Sequence, residues 1–320
     1  MDINNEIAKL DWKREPYGLY EPIEYTLAAG GKRVRPHLAM IASQMFDGKD
    51  EDVLPAALAL EVFHNFTLLH DDVMDKADVR RGRPTVHVKW NDNTAILSGD
   101  QMLIEAYKLL SGVSADKLPK VLKLFNQMAT EICEGQQYDV DFETQEQVTI
   151  EEYLKMIRLK TSVLLANALQ IGAYIAGADE QAQEALYQFG IAAGLAFQIQ
   201  DDILDVWGNP KTFGKVVGGD ISCNKKTFVY LTALHRATQS STALHHVTQL
   251  QQWYSQVLQD NTEKIVAVKT IFEQLEVREA CEMMVADYTQ KALQILATLP
   301  QNAATAQLRQ LANKLNTRQD

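Results

Sequence analysis

The stretch Leu68-Leu-His-Asp-Asp-Val-Met-Asp75 ends an apolar run of helical periodicity and carries three aspartates in the pattern Asp-Asp-x-x-Asp. The same pattern returns after a second apolar run, as Asp201-Asp-Ile-Leu-Asp205. Positions i and i+4 share one face of a helix and lie about 6 Å apart along its axis. Each stretch therefore presents two carboxylates to one spot, where they repel one another unless a cation lies between them. The two stretches predict helices with acidic, cation-binding faces.

Helical periodicity extends over almost the whole chain of 320 residues, and no stretch alternates convincingly with period two. One helix is predicted to begin at Pro36, a second near Pro55, and a third covers Leu186 to Ile203. Glycine and proline occur between these units, and no linker rich in proline or serine separates them. The sequence therefore predicts an all-α protein with a single domain over residues 1–320.

Composition narrows the class of protein. Apolar residues make up 46% of the chain and charged residues 23%, the usual globular mix. The net charge of −11 argues against a protein that coats nucleic acid or an anionic membrane. Three scattered cysteines fit neither a disulfide framework nor a zinc site, and they favour a cytoplasmic location. The uncharged stretch Thr161 to Ala178 is interpreted as a buried core helix rather than a stable membrane insertion, because it contains Asn167 and Gln170.

The aspartate patterns favour Mg²⁺ over other metals. Mg²⁺ takes hard oxygen ligands, keeps several waters and binds substrate phosphates together with one or two carboxylates. A carboxylate di-iron site would need Glu-x-x-His pairs on the helices, and none lies beside these aspartates. Two solvated helix ends are the simpler alternative, but like charges on otherwise apolar helices would then repel without relief. We therefore expect a Mg²⁺ site that also holds a polyphosphate.

Clusters of basic residues supply the groups that such a ligand needs. Gly30-Gly-Lys-Arg-Val-Arg-Pro36 places three cations on a turn, and Arg80-Arg-Gly-Arg-Pro84 follows the first aspartate pattern. Arginine binds phosphate oxygens through a two-pronged fork, so both clusters are suited to clamp a diphosphate. The glycine-rich segment Gly208 to Thr227 has the wrong spacing for a Walker A loop and is interpreted as a lid whose lysines close over phosphate.

Taken in order, these motifs resemble those of the trans-prenyl diphosphate synthases. They are Gly-Gly-Lys-Arg-x-Arg-Pro, Leu-Leu-His-Asp-Asp-x-x-Asp with Arg-Arg-Gly-x-Pro-Thr-x-His, Lys-Thr, and Phe-Gln-x-Gln-Asp-Asp-x-x-Asp. The resemblance implies a single large helical bundle of the isoprenoid synthase type with a deep central cavity, usually in a homodimer. It also implies Mg²⁺-dependent condensation of isopentenyl diphosphate with an allylic diphosphate (dimethylallyl, geranyl or farnesyl) by ionisation, condensation and elimination.

The resemblance implies roles for individual residues. The metal ligands would be Asp71, Asp75 and Asp201, with Asp72, Asp202 and Asp205 completing the motifs directly or through water. The allylic diphosphate would be held by Arg80, Lys160, Gln198 and Lys215, and isopentenyl diphosphate by Lys32, Arg35, His64 and Arg81. Thr161 and Gln198 would face the developing allylic cation, and Lys225 would belong to the closing lid. Gln136 and Asp139 match a further element near the metals. Cys223 departs from the aspartate that some members carry in the lid.

The helix before Asp71 predicts the product. Phe63 and Phe66 are three positions apart and share one face, and Thr67 is small where animal-type farnesyl synthases carry a second aromatic residue. This resembles the arrangement in archaeal geranylgeranyl synthases, so we expect geranylgeranyl diphosphate first and farnesyl diphosphate second. A longer-chain polyprenyl diphosphate synthase is the main alternative. A terpene cyclase or a non-catalytic regulatory subunit is disfavoured, because both aspartate motifs and the isopentenyl diphosphate clamp are intact.

Overall fold

The computed structural model describes residues 2–209 and 217–317, with side chains through Leu315 in the last helix. It divides into two compact units, of which the first comprises Met1–Asn126, Asn167–Leu186 and Asn302–Ala304. The second comprises Gln127–Ala166, Tyr187–Gln301 and Thr305–Asp320. The described residues are almost entirely helical, as predicted. The expectation of one domain over residues 1–320 stays a prediction.

The long helix α4 contacts most of the other helices in the first part of the chain. In chain order they are α1 (Ile3–Ala8), α2 (Tyr17–Ala28), α3 (Val34–Met45), α4 (Asp50–Met74), α5 (Val86–Lys89), α6 (Asp92–Leu110) and α7 (Leu118–Thr144). α4 packs on α3 and α6, and its apolar residues from Ala56 to Phe63 are buried. This burial fixes the helix that ends in the first aspartate motif.

Two helices begin earlier in the chain than the sequence predicts. α4 begins at Asp50, five residues before Pro55, because Asp50, Glu51 and Asp52 place negative charge at the positive end of the helix dipole. α3 begins at Val34, so Pro36 lies in the first turn, where its missing N–H group costs no hydrogen bond. Sequence periodicity located both helices but not their first residues.

A short antiparallel hairpin follows the first aspartate motif, although the sequence predicts no strand. It consists of β1 (Val79–Arg80) and β2 (Arg83–Pro84), in which Val79 pairs with Pro84 and Arg80 with Arg83. The turn residues Arg81 and Gly82 have φ values of 53° and 72°. Two successive positive φ angles are typical of a tight hairpin turn, and glycine makes the second one possible at low cost. The hairpin places Arg80 against Asp72 and Arg81 against the Gly30 carbonyl.

The rest of the chain is helical as well. A π-helical turn, Arg158–Ser162, separates α8 (Ile150–Ile157) from α9 (Val163–Ile175). The later helices are α10 (Glu180–Trp207), α11 (Gly219–Ser222), α12 (Phe228–Thr238), α13 (Leu244–Tyr254), α14 (Thr262–Gln274), α15 (Val277–Leu296) and α16 (Ala303–Thr317). In the second unit, α12 is almost wholly buried and packs against α8, α13, α14 and α15.

The uncharged stretch after Thr161 forms a core helix, as expected. Most apolar side chains of α9 are buried inside the protein, among them Val163, Leu169 and Ile175. Among the described helices, α4 alone is long and apolar enough to cross a membrane, and 61% of its most apolar window is buried within the protein. A core helix passes such a test as readily as a membrane span does.

Candidate active site

The first aspartate motif lies on the last turn of α4. Asp71 is half-buried, Asp72 is buried, and Asp75 is exposed at the end of the helix. Arg80 bridges the first two: its Nε donates to Asp72 Oδ1 at 2.7 Å, and its Nη2 lies 3.5 Å from Asp71 Oδ2. Burial raises the pKa of Asp72, although Arg80 opposes this shift. Asp72 therefore orients Arg80, whereas Asp71 and Asp75 share the face suited to a cation.

The three cations of the turn that begins at Gly30 differ in their surroundings. Arg33 is buried in the core, where its Nη1 lies 2.7 Å from Glu61 Oε1 and its Nη2 donates to the Leu27 carbonyl at 2.6 Å. This buried ion pair corrects the expectation that all three cations of the turn can clamp a diphosphate. Lys32 is exposed and Arg35 is half-buried, so these two remain available to a ligand. Glu61 was missed, although a lone acid in the apolar run of α4 is a sequence signal for such a pair.

Arg81 explains why two glycines open this turn. Its Nη1 donates to the carbonyl oxygen of Gly30. A Cβ at Gly31 would lie 2.9 Å from Arg81 Nη2, and the φ of Gly31 is +136°. The backbone angle favours glycine, and the guanidinium occupies the space that a side chain would take. The turn before α3 is therefore built around Arg81.

Arg35 and Arg81 are two like charges that act on each other and on the neutral ring of His64. Burial lowers the pKa of Arg35 to about 10, and Arg81 acts in the same direction against Glu61. Burial, followed by the field of Arg35, holds the pKa of His64 well below its usual range. Arg35 Nε is buried and has no hydrogen-bond partner among the described residues. The structure thus brings three of the four predicted isopentenyl diphosphate ligands together, in a place where an anion would relieve the repulsion.

A row of aromatic rings lies beside the first aspartate motif within the first unit. The Phe66 ring lies 4.8 Å from the His70 ring and 5.4 Å from the Phe63 ring, and Phe63 lies 5.1 Å from Phe125. Thr67 is half-buried, and its hydroxyl donates to the His64 carbonyl at 2.8 Å. The two predicted chain-length rings are therefore in contact, with Phe125 behind them.

The second aspartate motif lies near the end of α10. Asp201 is half-buried, whereas Asp202 is buried, and its Oδ2 accepts a 2.7 Å bond from the Tyr153 hydroxyl and a 3.0 Å bond from the Phe228 N–H. Burial, followed by the charge of Asp220, raises the pKa of Asp202 well above its usual range. Asp202 thus fastens α10 to α8 and α12. Sequence reasoning missed Tyr153, for which no pattern in the sequence gives a signal.

Asp205 links the second motif to the segment after it. Its main-chain carbonyl accepts a 2.6 Å bond from the Gly218 N–H, and its Oδ2 accepts a 3.0 Å bond from the Asp220 N–H. We call residues Gly218 to Lys225 the Gly218–Lys225 segment. Lys225 is exposed at its end. The predicted ligand Lys215 lies outside the described residues.

Lys160 and Thr161 lie in the π-helical turn Arg158–Ser162, and both are half-buried. π-Helical turns are rare and concentrate at functional sites. Lys160 Nζ lies 2.6 Å from Asp139 Oδ2, which joins two of the predicted residues. A Cβ at Gly135 would collide with the Lys160 backbone nitrogen, so glycine lets α7 approach this turn. Gln136 and Gln198 are half-buried on α7 and α10.

These features indicate a class of protein: a helical enzyme with acidic motifs suited to a cation and arginines suited to a diphosphate. The model of the family described as polyprenyl synthetase matches residues 16–275. A geranylgeranyl diphosphate synthase of Methanosarcina mazei is 43% identical over 226 residues, 70% of each chain. A geranylfarnesyl diphosphate synthase of Natronomonas pharaonis is 41% identical over 249 residues, 72% of this chain and 73% of the relative. A crystal structure of a geranylgeranyl pyrophosphate synthase aligns with TM-score 0.91 at 46% identity, over 99% of this chain and 96% of the other.

The chain belongs to the polyprenyl synthetase family, and it is a trans-prenyltransferase with the all-α isoprenoid synthase fold. The family uses a divalent metal and acts on isopentenyl and allylic diphosphates. The predicted family, fold class and class of enzyme are confirmed.

Proposed function

We propose that this protein condenses isopentenyl diphosphate with an allylic diphosphate to give a short-chain all-trans prenyl diphosphate, chiefly geranylgeranyl diphosphate. One observation carries the proposal. The first aspartate motif on α4 is joined by Arg80 to a hairpin whose Arg81 belongs to the cluster of Arg35 and His64. Carboxylates for a cation and guanidinium groups for a diphosphate are thus supplied by one part of the fold. The relatives described above support the short product.

The donor set fits Mg²⁺. Asp71 and Asp75 are carboxylates on one face at the end of α4, and Asp201 is half-buried on α10. Among the described residues, no three His, Cys, Asp or Glu side chains form a ready cage for a cation. Carboxylates are hard oxygen ligands, and Mg²⁺ binds through one or two of them together with waters and substrate phosphates. When bound, the metal neutralises charge on the leaving diphosphate.

The basic residues divide between the two diphosphates. Lys32, Arg35, His64 and Arg81 hold isopentenyl diphosphate, and Arg80, Lys160, Gln198 and Lys215 hold the allylic diphosphate. His64 is suited to donate a hydrogen bond as a neutral ring, because its lowered pKa keeps it uncharged beside the arginines. Asp139 holds the Lys160 ammonium in place, and Asp72 does the same for Arg80.

The allylic carbon–oxygen bond breaks as these cations stabilise the departing diphosphate, and the alkene of isopentenyl diphosphate attacks the resulting cation. The Thr161 hydroxyl and the Gln198 amide oxygen face the cation, and Lys225 binds the departing diphosphate from the lid. The final proton goes to the released diphosphate. Phe66 and Phe63 limit the length of the product.

We also propose a homodimer in the cytoplasm. Ile96, Leu97, Ile104 and Tyr107 are exposed on one face of α6, and an exposed apolar stripe of this kind marks an interaction surface. A second copy of the same face would cover it. Leu97→Glu should therefore reduce the mass measured by sedimentation to that of one chain. An unchanged mass would exclude this face.

The decisive experiment incubates the purified protein with Mg²⁺, labelled isopentenyl diphosphate and each allylic primer in turn, followed by chromatography of the dephosphorylated products. We expect geranylgeraniol as the main alcohol and no product when metal is removed by a chelator. Products of thirty carbons or more would identify a longer-chain synthase. A hydrocarbon formed without isopentenyl diphosphate would identify a terpene cyclase, and no turnover of any primer would contradict the proposal.

A further inference from the structure

Lys264 is a buried lysine outside the residues that the reaction itself requires. It lies in the first turn of α14 and is 0% exposed. Burial lowers the pKa of its ammonium. A cation in the first turn also opposes the helix dipole, so two local costs coincide at one residue. Proteins retain such costly residues chiefly where function requires them.

The contacts of Lys264 lead to the Gly218–Lys225 segment. Its Nζ donates to the side-chain oxygen of Asn224 and lies 3.4 Å from the Gln256 carbonyl oxygen. It also lies 5.6 Å from the centre of the Tyr254 ring, and this ring stacks on Tyr230 at 3.9 Å. None of these partners is a carboxylate. The ammonium is thus aimed at the side chain of Asn224 rather than neutralised by an ion pair with them.

Asn224 is held at both ends of its amide. Its Nδ2 donates to the Gln256 carbonyl at 3.1 Å, while its oxygen accepts the bond from Lys264. The φ of Asn224 is 58°, in the left-handed region that few residues other than glycine and asparagine adopt. The next residue is Lys225, whose N–H donates to the Asp220 carbonyl at 2.9 Å. The direction in which Lys225 leaves this turn therefore depends on the conformation of Asn224.

Among the described residues, two attachments of the Gly218–Lys225 segment are seen, both within the second unit. At its start, Asp205 accepts the N–H groups of Gly218 and Asp220. At its end, Lys264 and the Gln256 carbonyl hold Asn224. The first attachment holds the start of the segment beside the aspartate motif, and the second holds the residue directly before Lys225.

We propose that Lys264 is a positioning residue, which acts through Asn224 to place Lys225 for the departing diphosphate. Lys264 itself is buried and contacts no substrate. This inference rests on the proposed function, because it takes the ligand of Lys225 to be the allylic diphosphate.

The first test replaces Lys264 by methionine, which keeps the apolar stem and removes the ammonium. We expect kcat/KM for the allylic primer to fall by about tenfold or more, the usual loss when a charge-assisted hydrogen bond to the substrate is weakened. The affinity for inorganic diphosphate with Mg²⁺ should fall as well. The KM and the calorimetric affinity for isopentenyl diphosphate should hardly change, since Arg35 and His64 lie elsewhere in the chain. Lys269→Met, on the same helix, is the matched control and should behave as wild type.

A double-mutant cycle tests the route through Asn224. Asn224→Gly keeps access to the left-handed conformation but removes the side chain that Lys264 holds. If Lys264 acts through Asn224, the double variant should be no more impaired than the worse single variant. Full additivity of the two losses would overturn the proposed route. Should Lys264→Met fail to fold, Asn224→Gly alone must show the same selective loss for the allylic diphosphate.

Two further outcomes would overturn the inference. One is wild-type kinetics in Lys264→Met. Another is an equal loss of affinity for both substrates, which would indicate a purely structural role. Failure of the proposed function is distinguishable, because the wild-type protein would then neither bind isopentenyl diphosphate nor turn over any primer, and the inference would fall with it.

Discussion

Replacing Phe66 by alanine should lengthen the product by one isoprene unit. Phe63 lies three residues earlier on α4, about 4.5 Å along the helix axis at roughly 1.5 Å per residue. The two ring centres are 5.4 Å apart, and an extended isoprene unit is of similar length. Removing the Phe66 ring therefore opens room for one unit before the chain meets Phe63, which is 1% exposed and backed by Phe125 at 5.1 Å.

The variant should remain folded. Phe→Ala costs roughly 3–5 kcal/mol at a fully buried site, and Phe66 is only half-buried. Chromatography of the dephosphorylated products should show an alcohol of geranylfarnesyl length in place of geranylgeraniol. Phe46→Ala, a half-buried phenylalanine at the end of α3, is the matched control and should leave product length unchanged. An unchanged product distribution in Phe66→Ala would refute the idea that this ring ends the cavity.

Three further predictions follow from the site. Asp71→Asn and Asp201→Asn should each lower kcat by about 10²–10³ without altering circular dichroism, whereas near-normal turnover in both would remove them from the metal site. Arg35→Ala should raise KM for isopentenyl diphosphate about tenfold or more in steady-state kinetics, and it should change KM for the allylic primer little. Equal effects on both KM values would mean that the two sites are wrongly assigned. His64 has a lowered folded-state pKa, so below pH 6.5 the unfolded state binds the extra proton and stability falls as pH falls. His64→Asn should reduce this loss by up to about 1.4 kcal/mol per pH unit in urea unfolding, and an unchanged pH dependence would contradict it.

Local patterns were sufficient for the helices and the two aspartate motifs. The buried apolar residues of α4 and α10 recur with the helical period, so both helices could be located from sequence, although the start of α4 was misplaced at Pro55. The hairpin at Arg80 was not predicted, because its strands are two residues long and cannot show alternation.

The sequence identified the arginines and lysines of the basic clusters, but it did not show which partner each side chain contacts. Arg33 and Arg35 are two positions apart, and only the fold shows that Arg33 pairs with Glu61 in the core while Arg35 joins His64. Glu61 is 28 residues from Arg33 in the chain, and the packing of α3 on α4 brings the two together.

The sequence by itself determined the helical fold, the two carboxylate motifs and the family, because each rests on residue type and on spacing within one helix. Only the tertiary structure decided that Asp202 faces Tyr153, that Asp72 orients Arg80, and that Lys264 holds Asn224. Those partners come from separate elements of the chain. Their hydrogen bonds depend on which helix faces meet, and helix packing, not local periodicity, sets that arrangement.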